Sequence, residues 1–286
     1  MKTLFAWWLA GALPIPSVAL APTPGAVVES AAKDARISVE VVGLDVEVRT
    51  WAHGKLEVST DAPGFVPVIS GTRRRLRVSL DGVGLPTTGT LVLRVPQHAE
   101  LRIETVNGDV AVHDLRGEAE IATVSGRVAV DGSAEQLEIV AIDGSVDISG
   151  APERVEVSTV SGAITIAGAR EEVDAESISG AITLRDVALG RLDLNSVTGA
   201  IAIAGSFGEG PLRVDTHGGT IDLAVPSRGP LEIVVDTFSG EIVDRFDAAE
   251  LRARETHRRA LGRGGATLRI NSFSGGVTIG PPRAAK

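Results

Sequence analysis

The chain is predicted to be all-β, a parallel β-solenoid, on three observations. Glycine recurs at a near-constant interval, one alternating apolar pattern surrounds each of these glycines, and Val and Ile fill most of the apolar places. The reference glycines are Gly108, Gly126, Gly144, Gly162, Gly180, Gly199, Gly219, Gly240 and Gly275, spaced by 18, 18, 18, 18, 19, 20, 21 and 35 residues. The shared pattern reads apolar, any, apolar, polar, small, apolar, polar, Gly, any, apolar, any, apolar. It is clearest in "LEIVAIDGSVDI" from Leu137, "VEVSTVSGAITI" from Val155 and "LDLNSVTGAIAI" from Leu192. A period of two with β-branched residues marks strands that bury one face.

Each unit is therefore two short strands about a bend. The alternation changes phase between Thr159, Ser177 or Ser196 and the apolar residue that follows (Val160, Ile178, Val197), which predicts a bulge or corner there. A polar–Gly pair suits such a place, because glycine permits positive φ and close backbone approach. An antiparallel meander could use the same pairs, but constant unit length and a constant core pattern favour stacked coils. One 18-residue coil cannot bury enough surface to offset its own ordering, so neighbours must supply edge hydrogen bonds and a continuous core. About nine or ten coils of 18–21 residues are expected, right-handed by analogy with other parallel crossovers.

Along the chain, residues 1–21 read as a signal peptide: Lys2, an apolar run from Leu4 to Leu13, and an Ala19-Leu20-Ala21 cleavage site. The run is too short for a membrane span, and no later stretch approaches that length. Residues 22–35 are expected to be a flexible leader. A single solenoid domain then covers 36–280. Within it, 36–100 form irregular N-terminal coils or a cap, with Leu44 in the glycine place of a first coil, and 101–243 form the regular repeats. Residues 244–264 ("DRFDAAELRARETHRRALGRG") carry strong helix formers, so a short helix or lid-like excursion is expected before the last coil, 265–280. A tail, 281–286, follows.

"LVLRVPQHAELRIETVNGDVAV", the successive Ser-Gly turns and the closing "GATLRINSFSGGVTI" resemble the bacterial putative-adhesin family, a β-strand-repeat group catalogued as domain of unknown function 4097. The resemblance runs from about Ile37 to Gly280. It implies an exported or envelope-associated β-solenoid and brings no catalytic residues with it.

Composition narrows the function. The chain has 286 residues, no Cys and no Tyr, which excludes disulfides, thiolate metal sites and cysteine nucleophiles. A net charge of −9 argues against nucleic acid as a partner. Glu120, Glu138, Glu156, Asp174 and Asp193 all stand six residues before a reference glycine, and Glu176, Asn195, Asp215 and Asp236 form a second outward set. Stacked about 4.8 Å apart, like charges cost roughly 1 kcal/mol per pair even in water. Ca²⁺ could relieve this at Asp174, Glu176, Asp193, Asn195 and Asp215. A solvated acidic face with Arg154, Arg170 and Arg191 as counter-charges is the simpler reading, with no cofactor. His53, His98, His113, His217 and His257 lack metal-ligand spacing, and the turn serines lack an evident base. Arg73, Arg74, Arg75 and Arg77 read as a solvated strand face. Arg252, Arg254, Arg258, Arg259 and Arg263 read as a helix packed on the solenoid.

The function these features favour is an exported, non-catalytic scaffold, periplasmic or extracellular, whose polar, acidic face binds a protein or an envelope component. A polysaccharide-active β-helix enzyme and an accessory protein of envelope-stress signalling are the alternatives.

Overall fold

A computed structural model describes residues 25–86, 88–247, 249–251 and 256–282. The cleavage-site residues Ala19 and Ala21, and Arg252 and Arg254, lie outside the described residues. Among the described residues twenty-seven strands form two sheets, a thirteen-stranded front sheet and a fourteen-stranded back sheet. Each rung gives one strand to each sheet: Arg154–Thr159 lies in front, and the chain turns a corner into Ile164–Ala167 behind. Successive rungs pair parallel and in register, as in Glu138↔Glu156, Glu156↔Asp174 and Asp174↔Asp193. Eleven such rungs stack, slightly more than the nine or ten expected, because Arg75–Gly82 and Thr90–Pro96 within the irregular stretch also make one.

The core lies between the sheets. Ile121, Ile139, Val157, Ala175 and Leu194 enter it from the front, and Val130, Ile148, Ile166, Leu184 and Ile203 from the back, all buried. Each large aliphatic contributes roughly 2 kcal/mol of burial. Among the described residues no helix is long and apolar enough to cross a membrane.

Spatial order departs from chain order at both ends. In the front sheet Arg36–Val41 sits between Arg75–Gly82 and Glu100–Asn107, and Ala266–Ser272 sits between Leu212–Thr216 and Leu231–Thr237. Their back-sheet partners follow suit: Asp45–Trp51 lies between Thr90–Pro96 and Val110–Leu115, and Val277–Gly280 between Ile221–Ala224 and Ile242–Asp244. The 35-residue gap before Gly275 is thus a passage over the end of the rod and back, one rung inside it.

Antiparallel strands close the open edges. At the first end these are Val27–Ser30, Lys55–Thr60 and Phe65–Thr72. At the other end Ala249–Leu251 pairs with Ile242–Asp244, and His257–Ala260 with Leu231–Thr237. Two expectations are corrected here. The leader 22–35 contains a paired strand, with Ala31 and Ala35 buried, and the segment 244–264 forms cap strands, with no helix among its described residues. Unpaired N–H and C=O groups on a sheet edge outweigh local helix propensity, since each needs a partner.

His257 Nε2 and Arg259 both bind the fully buried Asp244 carboxylate, at 2.9 and 2.5 Å, and tie the front cap strand to the back sheet. Burial alone would raise the Asp244 pKa. Hydrogen bonds from Arg259, the Phe246 backbone N–H and His257 outweigh it and hold the group below the ordinary carboxylate value.

Candidate functional site

The expected phase change at the corner does not occur. Alternation simply continues, so Thr159, Ser177 and Ser196 take the inward places while Val160, Ile178 and Val197 point outward. Two of these inward hydroxyls serve the turn, since Gly162 N–H donates to Thr159 Oγ1 at 2.9 Å and Ser196 Oγ donates to the Gly199 carbonyl at 3.0 Å, whereas the buried Ser177 Oγ meets no partner among the described residues. The outward apolar residues make a ridge along one edge of the rod. Val42, Val106, Val124, Ile142, Val160, Ile178, Val197, Phe273 and Phe238 are each between 36% and 53% exposed, and His217 continues the line between Val197 and Phe273. The exterior is therefore not tiled by small polar and acidic groups alone.

Parallel hydrogen bonding runs through the corner and keeps the ridge in step, with Ser179 N–H on Val160 O at 3.0 Å and Thr198 N–H on Ile178 O at 2.9 Å. The turn hydroxyls add a second ladder: Ser179 Oγ donates to Val160 O at 3.2 Å and Thr198 Oγ1 to Ile178 O at 3.2 Å. At the C-terminal end three rings stack face to face, His217 on Phe273 at 4.7 Å and Phe273 on Phe238 at 5.0 Å.

The reference glycines form one column behind this ridge. A Cβ on Gly162 would lie 1.7 Å from the Gly144 carbonyl oxygen, and one on Gly108 would lie 2.0 Å from that of Leu44. The column follows spatial order, because Gly275 abuts Gly219 and Gly240 abuts Gly275.

Two outward columns run beside the ridge on the front sheet. In the first, Glu120, Glu138, Glu156, Asp174 and Asp193 are consecutive, with Arg102 at one end and Arg213 then Arg269 at the other. Arg102 closes on Glu120 at 2.6 Å. Burial, and then the charges of Asp193, Glu176 and Glu156, raise the Asp174 pKa. The second column, nearer the ridge, reads Glu176, Asn195, Asp215, Asn271, Asp236. Asn195 Nδ2 donates to Asp193 at 3.1 Å, Asn271 Nδ2 donates to Asp215 at 2.6 Å, and Arg213 also engages Asp215. Thr256 Oγ1 donates to Asp236. The five residues considered for Ca²⁺ thus lie on three adjacent rungs, divided between two columns. Among the described residues no three His, Asp or Glu side chains converge to hold a metal.

Between ridge and second column runs a groove of about 1120 Å³ that extends from Val140 to Phe238. Glu176, Asn195, Asp215, Asn271 and Asp236 line one side, and Ile178, Val197, His217, Phe273 and Phe238 the other. Among the described residues no Lys or Arg lines it. Sequence reasoning missed the groove because it placed Val160, Ile178 and Val197 at a change of phase. Counting the alternation straight through would have turned them outward.

The histidines stay apart. His113 Nδ1 meets Asp131 at 2.7 Å and His257 meets Asp244, while His53 packs edge-on against Trp51. Burial acts to raise the Asp131 pKa, and hydrogen bonds from the Asp114 N–H and His113 outweigh it and lower it. No Ser or Thr hydroxyl hydrogen-bonds either His–Asp pair among the described residues. Arg73, Arg74 and Arg75 lie exposed around the hairpin turn that joins Phe65–Thr72 to Arg75–Gly82.

A family model described as Toastrack DUF4097 matches residues 31–280. No curated protein matches the chain. Solved structures similar to it include a "putative cell adhesion protein" from Clostridium sporogenes (8% identity, 89% of this chain and 97% of that one, TM-score 0.25). A "putative adhesin" from Parabacteroides merdae shares 12% identity over 89% of this chain and 95% of that one, with a TM-score of 0.45. A "putative lipid binding protein" from Parabacteroides distasonis shares 11% identity over 91% and 98%, with a TM-score of 0.30.

Proposed function

Because the chain belongs to the Toastrack DUF4097 family, we propose that it works as an exported, non-catalytic scaffold that holds a protein or envelope partner along the front-sheet groove. The observation that carries this reading is the apolar ridge set in step beside a carboxylate–amide column. Monomeric proteins seldom expose a long contiguous apolar strip without a binding role, and here a hydrogen-bonded ladder holds the strip rigid, so little order is lost on binding.

Two features weigh against glycan chemistry. The stack covers both faces of Phe273, which a sugar would need, and among the described residues no Ser or Thr hydroxyl hydrogen-bonds either His–Asp pair. The N-terminal pattern supports export.

A photo-crosslinking residue at Thr198, beside the ridge, tests the reading against the same residue at Ala129 on the outer back sheet. After incubation with the envelope fraction of the source cells, a discrete partner is expected from Thr198 only, and Ile178→Ser/Phe273→Ser should abolish its capture. Equal capture from both faces, or release of new reducing ends from a glycan panel, would overturn it.

A further inference from the structure

We infer that the groove takes an extended polypeptide in the polyproline II conformation with a basic residue at every third position. This rests on the groove reading above and names its occupant. Carboxylates stand on every second rung, Glu176, Asp215 and Asp236, with the amides of Asn195 and Asn271 on the rungs between. Rungs lie about 4.8 Å apart, so the carboxylates recur at about 9.6 Å. A polyproline II helix has three residues per turn and rises about 3.1 Å per residue, which returns every third side chain to one face after about 9.3 Å.

Other backbones fit worse. Side chains on one face of a β-strand recur at about 6.7 Å, which matches neither one rung nor two. Two turns of α-helix advance about 10.8 Å and drift by more than 1 Å per carboxylate, against about 0.3 Å for polyproline II. Charge points the same way at the two outer carboxylates: Glu176 and Asp236 meet no Lys or Arg among the described residues, while the middle one, Asp215, is already engaged by Arg213. The next face of such a helix lies on Ile178, Val197 and the stacked rings, as Pro-rich segments lie on aromatic-lined grooves. Glu176 to Asp236 covers four rung steps, about 19 Å, which a seven-residue segment with basic residues at positions one, four and seven would span.

The test is fluorescence anisotropy with two labelled decapeptides of equal composition, the periodic KLPKLPKLPK and the blocked KKKKLPLPLP. The periodic peptide should bind at least ten-fold more tightly, and the near-isosteric double variant Glu176→Gln/Asp236→Asn, its folding checked by its melting curve, should remove that advantage. Equal affinities, no binding, or an advantage that survives the double variant would each overturn the inference. If Ile178→Ser/Phe273→Ser still abolishes capture from Thr198 in that event, the groove reading stands without its period. If it does not, both fall.

Discussion

Asn271 donates its side-chain amide to Asp215 at 2.6 Å, although 56 residues separate the two in sequence. The contact exists because the last coil is tucked between two coils that precede it. With the rungs in chain order, Asp215 and Asp236 would be neighbours about 4.8 Å apart. The inserted rung places an amide between them, and Asn195 does the same between Glu176 and Asp215.

Asn271→Asp should therefore place three carboxylates on consecutive rungs. Two like-charge contacts and a lost charge-assisted hydrogen bond cost about 2–3 kcal/mol together, a fall in Tm of several degrees. Melting curves at 20 and 300 mM NaCl check this. The loss should shrink at high salt, whereas Asn271→Ala should be milder and nearly salt-independent.

Gly162→Ala pushes a Cβ to within 1.7 Å of a carbonyl oxygen in the adjacent rung. A backbone contact this close forces the rungs apart, so a loss of about 3 kcal/mol or more is expected in urea unfolding. Gly229→Ala, where nothing lies within 4 Å, should change stability by less than about 0.5 kcal/mol.

The two corner hydroxyls should differ in weight. Thr159→Val strands the half-buried Gly162 N–H and should cost about 1–2 kcal/mol. Ser179→Ala leaves the Val160 carbonyl still accepting the Ser179 N–H at 3.0 Å, so about 0.5–1 kcal/mol is expected. Equal effects from chemical denaturation would contradict this account of the corner.

The Asp244 cluster predicts an acid-sensitive C-terminal cap. The folded pKa is depressed, so its contribution is complete above the ordinary carboxylate value of 3.8 and is lost as pH falls through the lower folded value. Asp244→Asn should cost about 3–5 kcal/mol near neutrality, as for a buried ion pair with one partner removed. The gap from the parent should narrow below about pH 4, and Tm measured from pH 2.5 to 7 follows it.

Rung order makes deletions unequal. Removing residues 145–162 excises one coil and joins Gly144 to Ala163, an in-register step, so a shorter folded rod is expected by circular dichroism and scattering. Truncation after Gly265 removes a rung from inside the stack. It should leave the strands around Leu231–Asp244 unprotected in hydrogen exchange, because their parallel partners are Ala266–Ser272 and Val277–Gly280.

Much of this architecture was legible. The spacing from Gly108 to Gly219 locates a column of close backbone approach, "LEIVAIDGSVDI" locates the strands, and the acidic residues six before each glycine do stack. Leu44 supplies the carbonyl against which Gly108 packs. The cap strands were hidden because Ala249–Leu251 and His257–Ala260 lie in a segment of helix formers, and only a neighbouring sheet edge draws such residues into strand. The groove was hidden by one misjudged phase at Val160, Ile178 and Val197, where an inward hydroxyl and an outward valine reverse the usual polarity.

Local chemistry alone determined that this chain makes strands, that they turn at Ser-Gly corners, and that equal coils stack with equivalent residues aligned, since alternation and coil length are properties of each repeat. Which coil lies beside which was decided only by the folded molecule. Every coil offers the same two edges, so periodicity cannot tell a neighbour in space from a neighbour in sequence. The capping strands at each end hold the first and last coils one rung inside, and that placement completes the carboxylate–amide column beside the ridge.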